Sequence, residues 1–134
     1  MPTEETHVPI DSDGDIVAAR QKARELAAQV GFSGSDLTII ATAISEVARN
    51  IMVYANRGEV VLSAVRRGGQ RGVLVIARDN GPGIPDIELA MRDGFSTGKS
   101  LGLGLPGARR LMDEFEIASE IGKGTTITMR KWTR

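Results

Sequence analysis

The sequence predicts an α/β (α+β) fold in two layers, with helices packed on a mixed, mainly antiparallel sheet. Three observations carry this. Two long stretches in the first half place apolar residues at three- and four-residue spacings. Two valine- and isoleucine-rich segments follow, joined by glycines and arginines, and an alternating segment closes the chain.

Residues 6–10 read as a first strand. Asp11, Ser12, Asp13 and Gly14 then form a turn leading to a helix N-cap. The spacing predicts a helix over 15–30 with Ile16, Ala19, Ala23, Leu26 and Val30 on one face, stopped by Gly31. A second helix is expected after Ser35 as its cap, with Leu37, Ile40, Ala41, Ile44, Val47, Ala48 and Ile51 facing a core. Residues 58–67 and 73–79 suit an antiparallel hairpin. Periodicity is then lost until Gly104, apart from a short helical candidate at 86–92. A helix is expected from Leu105 or Pro106 to Phe115, with proline tolerated in its first turn. The chain closes with a strand at 116–120, a turn at IGKG, and a strand at 125–133 that keeps Ile127 and Met129 on one face.

The 134 residues suit one domain spanning 1–134, and no internal repeat or low-complexity linker interrupts them. Basic and acidic residues balance at 17 each, so no global charge argues for nucleic acid or an anionic membrane. With no cysteine and a single histidine, His7, disulfides, thiolate metal sites and histidine-rich metal centres are ruled out, and any metal must take oxygen ligands. The polar, acidic start lacks the pattern of a signal peptide, and no apolar run reads as a membrane span, so a cytoplasmic location is expected.

Many of the 16 glycines crowd between Gly81 and Gly124, a density suited to cradling phosphates as well as to a surface loop. GLGLPG at 102–107 has the G-x-G-x-x-G spacing, but FSTGKS rather than a strand precedes it, which weakens a dinucleotide reading. No Walker sequence and no H-R-D or D-F-G element is present. Asp79 ends an apolar strand and is followed by Asn80, Gly81, Pro82 and Gly83, which presents a carboxylate where the chain turns; the same residues also make an ordinary turn. Glu46 and Asn50 are one helical turn apart, beside the polar face of Thr38, Thr42, Ser45 and Arg49. That border suits a pocket wall or a solvated face. Met52, Val53 and Tyr54 read as packing residues, and Trp132 with Arg130, Lys131 and Arg134 as an edge strand with solvated charge.

SEVARN at 45–50, DNGPGI at 79–84, GLGLPG at 102–107 and GKGTT at 122–126 occur in one order. Together they resemble the N box and glycine boxes of the GHKL superfamily, whose Bergerat ATP-binding fold serves gyrase, MutL, histidine kinases and anti-sigma-factor kinases. DIVAARQ, GFSTG, LGLGLPGARRLMDEF and the closing KW are similar to the RsbT-type serine/threonine switch kinases of bacterial stress signalling. The resemblance implies Glu46 as general base, Asn50 as the ligand of a Mg2+ bridging the ATP phosphates, and Asp79 as acceptor from the adenine amino group. It implies that Gly81 and Gly83 let backbone approach the nucleotide, that Thr125 supports the adenine end, and that Gly102, Leu103 and Gly104 contact phosphates. FSTGKS would belong to the lid over ATP, with Ser96, Thr97 and Lys99 as phosphate contacts.

By the same resemblance the phosphate acceptors are STAS-domain antagonist and scaffold proteins of a stressosome-like complex, and a serine phosphatase is the later partner. His7 lies outside any acceptor hairpin, which disfavours a histidine kinase, and the length excludes the further domains of gyrase or MutL. An anti-sigma factor that sequesters a sigma factor is the nearest alternative, and a non-catalytic, nucleotide-gated binding module is another. Neither nucleic acid nor a membrane is expected as partner.

Overall fold

The computed structural model describes residues 5–91 and 104–134. They form strand β1 (Glu5–Ile10), helices α1 (Asp13–Val30) and α2 (Ser35–Tyr54), strands β2 (Gly58–Arg67) and β3 (Gln70–Asp79), helices α3 (Ile87–Ala90) and α4 (Gly104–Leu111), and strands β4 (Glu114–Glu120) and β5 (Gly124–Trp132). The strands make one sheet in the order β1-β2-β3-β5-β4. The expected two-layer class is the one observed, and every neighbouring pair in the sheet is antiparallel.

One face of the sheet is apolar and carries the helices. Val60 and Leu62 of β2, Val73, Val75 and Ala77 of β3, and Ile127 and Met129 of β5 join a core cluster with Ile16, Ala19 and Ala23 of α1 and Ile40, Ile44, Val47 and Ile51 of α2. The intervening strand positions, among them Glu59, Arg78, Thr126 and Arg130, point to the opposite face, as the two-residue period requires. By length and composition α2 could cross a membrane, but 56% of that stretch is buried inside the protein, as in a core helix.

Local chemistry moves several boundaries. Helix α1 begins two residues earlier than expected, at Asp13, because the Asp15 carboxylate reaches back to accept the backbone N–H groups of Asp11 and Ser12 at 2.8 and 3.0 Å. Ala27 is buried where the stripe placed Leu26, which is partly buried. The cap of α2 is Gly34 rather than Ser35: its φ of 58° and ψ of −133° suit glycine, and Ser35 is already helical. Strand β3 starts at Gln70, so the hairpin turns on Gly68 and Gly69.

The last helix stops at Leu111 rather than Phe115. There the Asp113 N–H donates to the Arg130 carbonyl at 3.0 Å, and Phe115 pairs with Met129, so the sheet captures residues that would also fit a helical spacing. Strand β5 is not an edge. It lies between β3 and β4, and Lys131 and Trp132 are buried rather than solvated. Met52 and Tyr54 pack against the core, as expected of them.

Candidate functional site

Helix α2 supplies the first wall. It is buried from Ile40 to Ile51 except at Thr42 and Arg49, and the buried stretch includes the polar residues Ser45, Glu46 and Asn50. Ser45 returns its hydroxyl to the Ala41 carbonyl at 2.9 Å. Glu46 is 4% exposed, and its Oε1 accepts the backbone N–H of Gly104 at 3.0 Å while Oε2 takes Arg49 Nη1 at 3.2 Å. Asn50, 9% exposed, has a side chain that bonds to no described residue. An amide that bonds to no described residue and keeps some exposure, one turn from a buried carboxylate, suits a polar ligand.

The end of β3 supplies the second wall. Asp79 is buried and accepts the Gly81 N–H through Oδ1 at 2.9 Å, closing the turn after the strand. A Cβ on Gly81 would lie 2.5 Å from the Cβ of Ala55, the residue that ends α2, so this turn abuts the C-terminus of that helix. Gly83 has φ +84°, and a Cβ there would lie 2.6 Å from the Glu120 carbonyl oxygen. The close backbone approach expected of both glycines is thus, in the structure, an approach to protein.

Across the sheet Asp79 stands opposite Thr125 of β5. Thr125 is buried and shares a hydrogen bond with the Ser119 hydroxyl at 2.7 Å; that hydroxyl also accepts the Ile84 N–H at 2.8 Å. Ser119 therefore ties the turn after β3 to the β4–β5 hairpin. Gly124 completes the junction, since a Cβ there would collide with the Asp79 carbonyl. Surface depressions on both sides of this junction meet at Asp79 and Asn80.

The N-terminus of α4 closes the arrangement at Gly104, whose N–H is one of the unpaired donors that favour an anion; in the structure it holds Glu46. At the other end of α4 the Lys131 ammonium donates to the Leu111 carbonyl at 3.1 Å and lies 4.0 Å from Asp113, a cation at the negative end of the helix.

The structure thus joins Glu46 of α2 to Gly104 of α4 by a hydrogen bond and Asp79 of β3 to Thr125 of β5 by register, sets Gly81 against Ala55 at the end of α2 and Gly83 against Glu120, and places Asn50 one helical turn from Glu46. Gly102, Leu103, Ser96, Thr97 and Lys99 lie outside the described residues. Sequence reasoning left out Ser119, named Gly124 only as part of GKGTT, read Lys131 as solvated, and gave Arg49 no role, although its three-residue spacing from Glu46 was a signal. Among the described residues no group of three His, Cys, Asp or Glu side chains could hold a metal. Among the described residues, the Asn50 amide oxygen is a donor that would suit a hard cation whose other ligands are phosphate oxygens.

Comparison with known proteins places the chain. A family model described as the histidine kinase-like ATPase domain matches residues 9–131. The serine/threonine-protein kinase RsbT of Bacillus subtilis (strain 168) is 52% identical over 127 residues, covering 95% of this chain and 96% of that protein. The anti-sigma F factor of Geobacillus stearothermophilus is 34% identical over 120 residues, 84% of this chain and 81% of that one. A mycobacterial sensor histidine kinase, MprB, aligns with a TM-score of 0.54 over 96% of this chain and 99% of its own; at 20% identity this is a likeness of fold. A match that runs from the first strand to the last makes this protein a member of the histidine kinase-like ATPase domain family.

Proposed function

We propose that the chain is a single-domain, Mg-ATP-dependent protein-serine/threonine kinase of the cytoplasm. On this reading it phosphorylates STAS-domain antagonist proteins in a stressosome-type partner-switching pathway and then activates a downstream serine phosphatase. The observation that carries the kinase reading is the hydrogen bond of 3.0 Å between the Glu46 carboxylate and the first amide of α4. It brings a buried candidate base to a backbone N–H suited to phosphate, and phosphoryl transfer needs positioning and charge stabilisation more than covalent chemistry.

Residue roles follow from placement along α2. At about 1.5 Å per residue, Asn50 lies about 7 Å and Glu46 about 13 Å along the axis from Ala55, which abuts the Asp79 turn. An extended nucleotide laid along that line would have its adenine at Asp79, its phosphates beside Asn50, and its terminal phosphate near Glu46 and Gly104. Asp79 accepts the adenine amino hydrogen through the oxygen that the Gly81 N–H leaves free. Thr125, held by Ser119, backs the same end. Asn50 would hold magnesium, which neutralises phosphate charge when bound. Glu46 orients the acceptor hydroxyl and takes its proton.

The test is transfer of labelled phosphate from ATP, with magnesium, to purified candidate STAS proteins. Wild type labels serine or threonine; Glu46→Gln and Glu46→Ala lose about a hundredfold to ten-thousandfold. Variants as fast as wild type reject the base assignment. The 34% identity to an anti-sigma F factor supports a second reading, a kinase that sequesters a sigma factor. Retention of a sigma factor, rather than a phosphatase, in a pull-down with the purified protein selects it.

A further inference from the structure

We infer that Arg49 is a positioning residue for Glu46, holding the carboxylate in place from within the same helix. The inference rests on the assignment of Glu46 as base. Glu46, Arg49 and Asn50 lie at i, i+3 and i+4 on α2, so the three side chains share one face. Arg49 Nη1 is 3.2 Å from Glu46 Oε2, with the Glu46 side chain 3% exposed and that of Arg49 22% exposed. Exposed helix pairs of this spacing contribute little. This pair differs because its acid is buried, and a buried carboxylate needs charged or hydrogen-bonding partners.

The division of labour between the two carboxylate oxygens carries the argument further. Oε1 is held by Gly104 on α4, and Oε2 by Arg49 on α2 itself. A phosphate that competes for the Gly104 amide removes the first of these contacts and leaves the second. Arg49 then keeps Glu46 on the helix that also carries Asn50. A guanidinium suits this task because it remains charged and its planar donors fix direction.

The experiment compares wild type, Glu46→Gln, Arg49→Gln, Arg49→Lys and the Glu46→Gln/Arg49→Gln double variant, measuring kcat for phosphoryl transfer and ATP affinity by calorimetry. Arg49→Gln is expected to lower kcat about tenfold or more and to leave ATP affinity within about twofold, with partial recovery in Arg49→Lys. In the Glu46→Gln background the same Arg49 change lowers kcat no further, because its effect passes through the carboxylate. An unchanged kcat in Arg49→Gln overturns the inference, as does an equal fall in both backgrounds. If Arg49→Gln also lowers the thermal midpoint, Arg49→Lys carries the test, and its smaller fall must likewise vanish in the Glu46→Gln background. Glu46→Gln with wild-type kcat instead overturns the base assignment, and the inference with it.

Discussion

Asp79 and Thr125 stand directly opposite one another where β3 pairs with β5, and both are buried. A carboxylate and a hydroxyl are thereby fixed to one patch of rigid sheet, although their strands come from different hairpins. On the proposed binding mode, Asp79→Asn keeps the shape but puts an amide donor or a neutral oxygen where the adenine amino group would need an acceptor. The loss expected is that of a hydrogen bond to a charged group, about 1.5–3 kcal/mol, or roughly ten- to hundredfold in ATP affinity. Discrimination against GTP should shrink as well, since guanine presents an oxygen at the corresponding position. Calorimetry with both nucleotides checks this, and retained discrimination would contradict the role.

Asn50→Ala removes a buried amide that has no described protein partner. Folding should change little, while magnesium-dependent nucleotide binding should weaken by about tenfold or more. ATP titrations with magnesium and with EDTA separate the two terms: the variant should resemble wild type only without the metal.

Lys131→Met tests the helix end opposite the site. The substitution keeps most of the buried stem but leaves the Leu111 carbonyl without its charged donor. A loss of roughly 1–3 kcal/mol is expected, seen as a lower denaturation midpoint at unchanged slope. An unaltered midpoint would show that the ammonium contributes nothing to holding α4.

Glu114 should contribute to acid sensitivity. The Arg67 guanidinium at 2.6 Å and the Trp132 indole N–H at 2.7 Å hold its carboxyl below the usual 4.5, and Arg67 also lies over the Trp132 ring. A carboxyl lowered in the folded state is protonated more readily in the unfolded chain. Its stabilisation is therefore present above about pH 4.5 and lost as pH falls below that value. Thermal midpoints of wild type should drop through this window, and Glu114→Gln should flatten the drop.

How far the sequence foretold this arrangement depends on the range of the interactions. The α2 stripe was legible because seven apolar positions repeat over about four turns, and Asp79 because a strand rich in valine and isoleucine ends on a carboxylate. The end of α4 was not, because Leu111, Met112 and Phe115 fit a helical spacing while Phe115, Ile117 and Ser119 fit a strand; only pairing with β5 decides. Lys131 gave no local sign of burial, since its partner is the end of a helix twenty residues earlier in the chain. The motif residues outside α2 converge through sheet order and one backbone amide, which no single segment encodes.

That sheet order bears on how the protein reaches its working form. β2–β3 and β4–β5 are hairpins that can close locally, whereas β3–β5 joins residues 72–79 to 125–132 and must enclose everything between them. Pairings so distant along the chain form slowly. During refolding, secondary structure should return well before any affinity for nucleotide, because neither hairpin alone holds both Asp79 and Thr125.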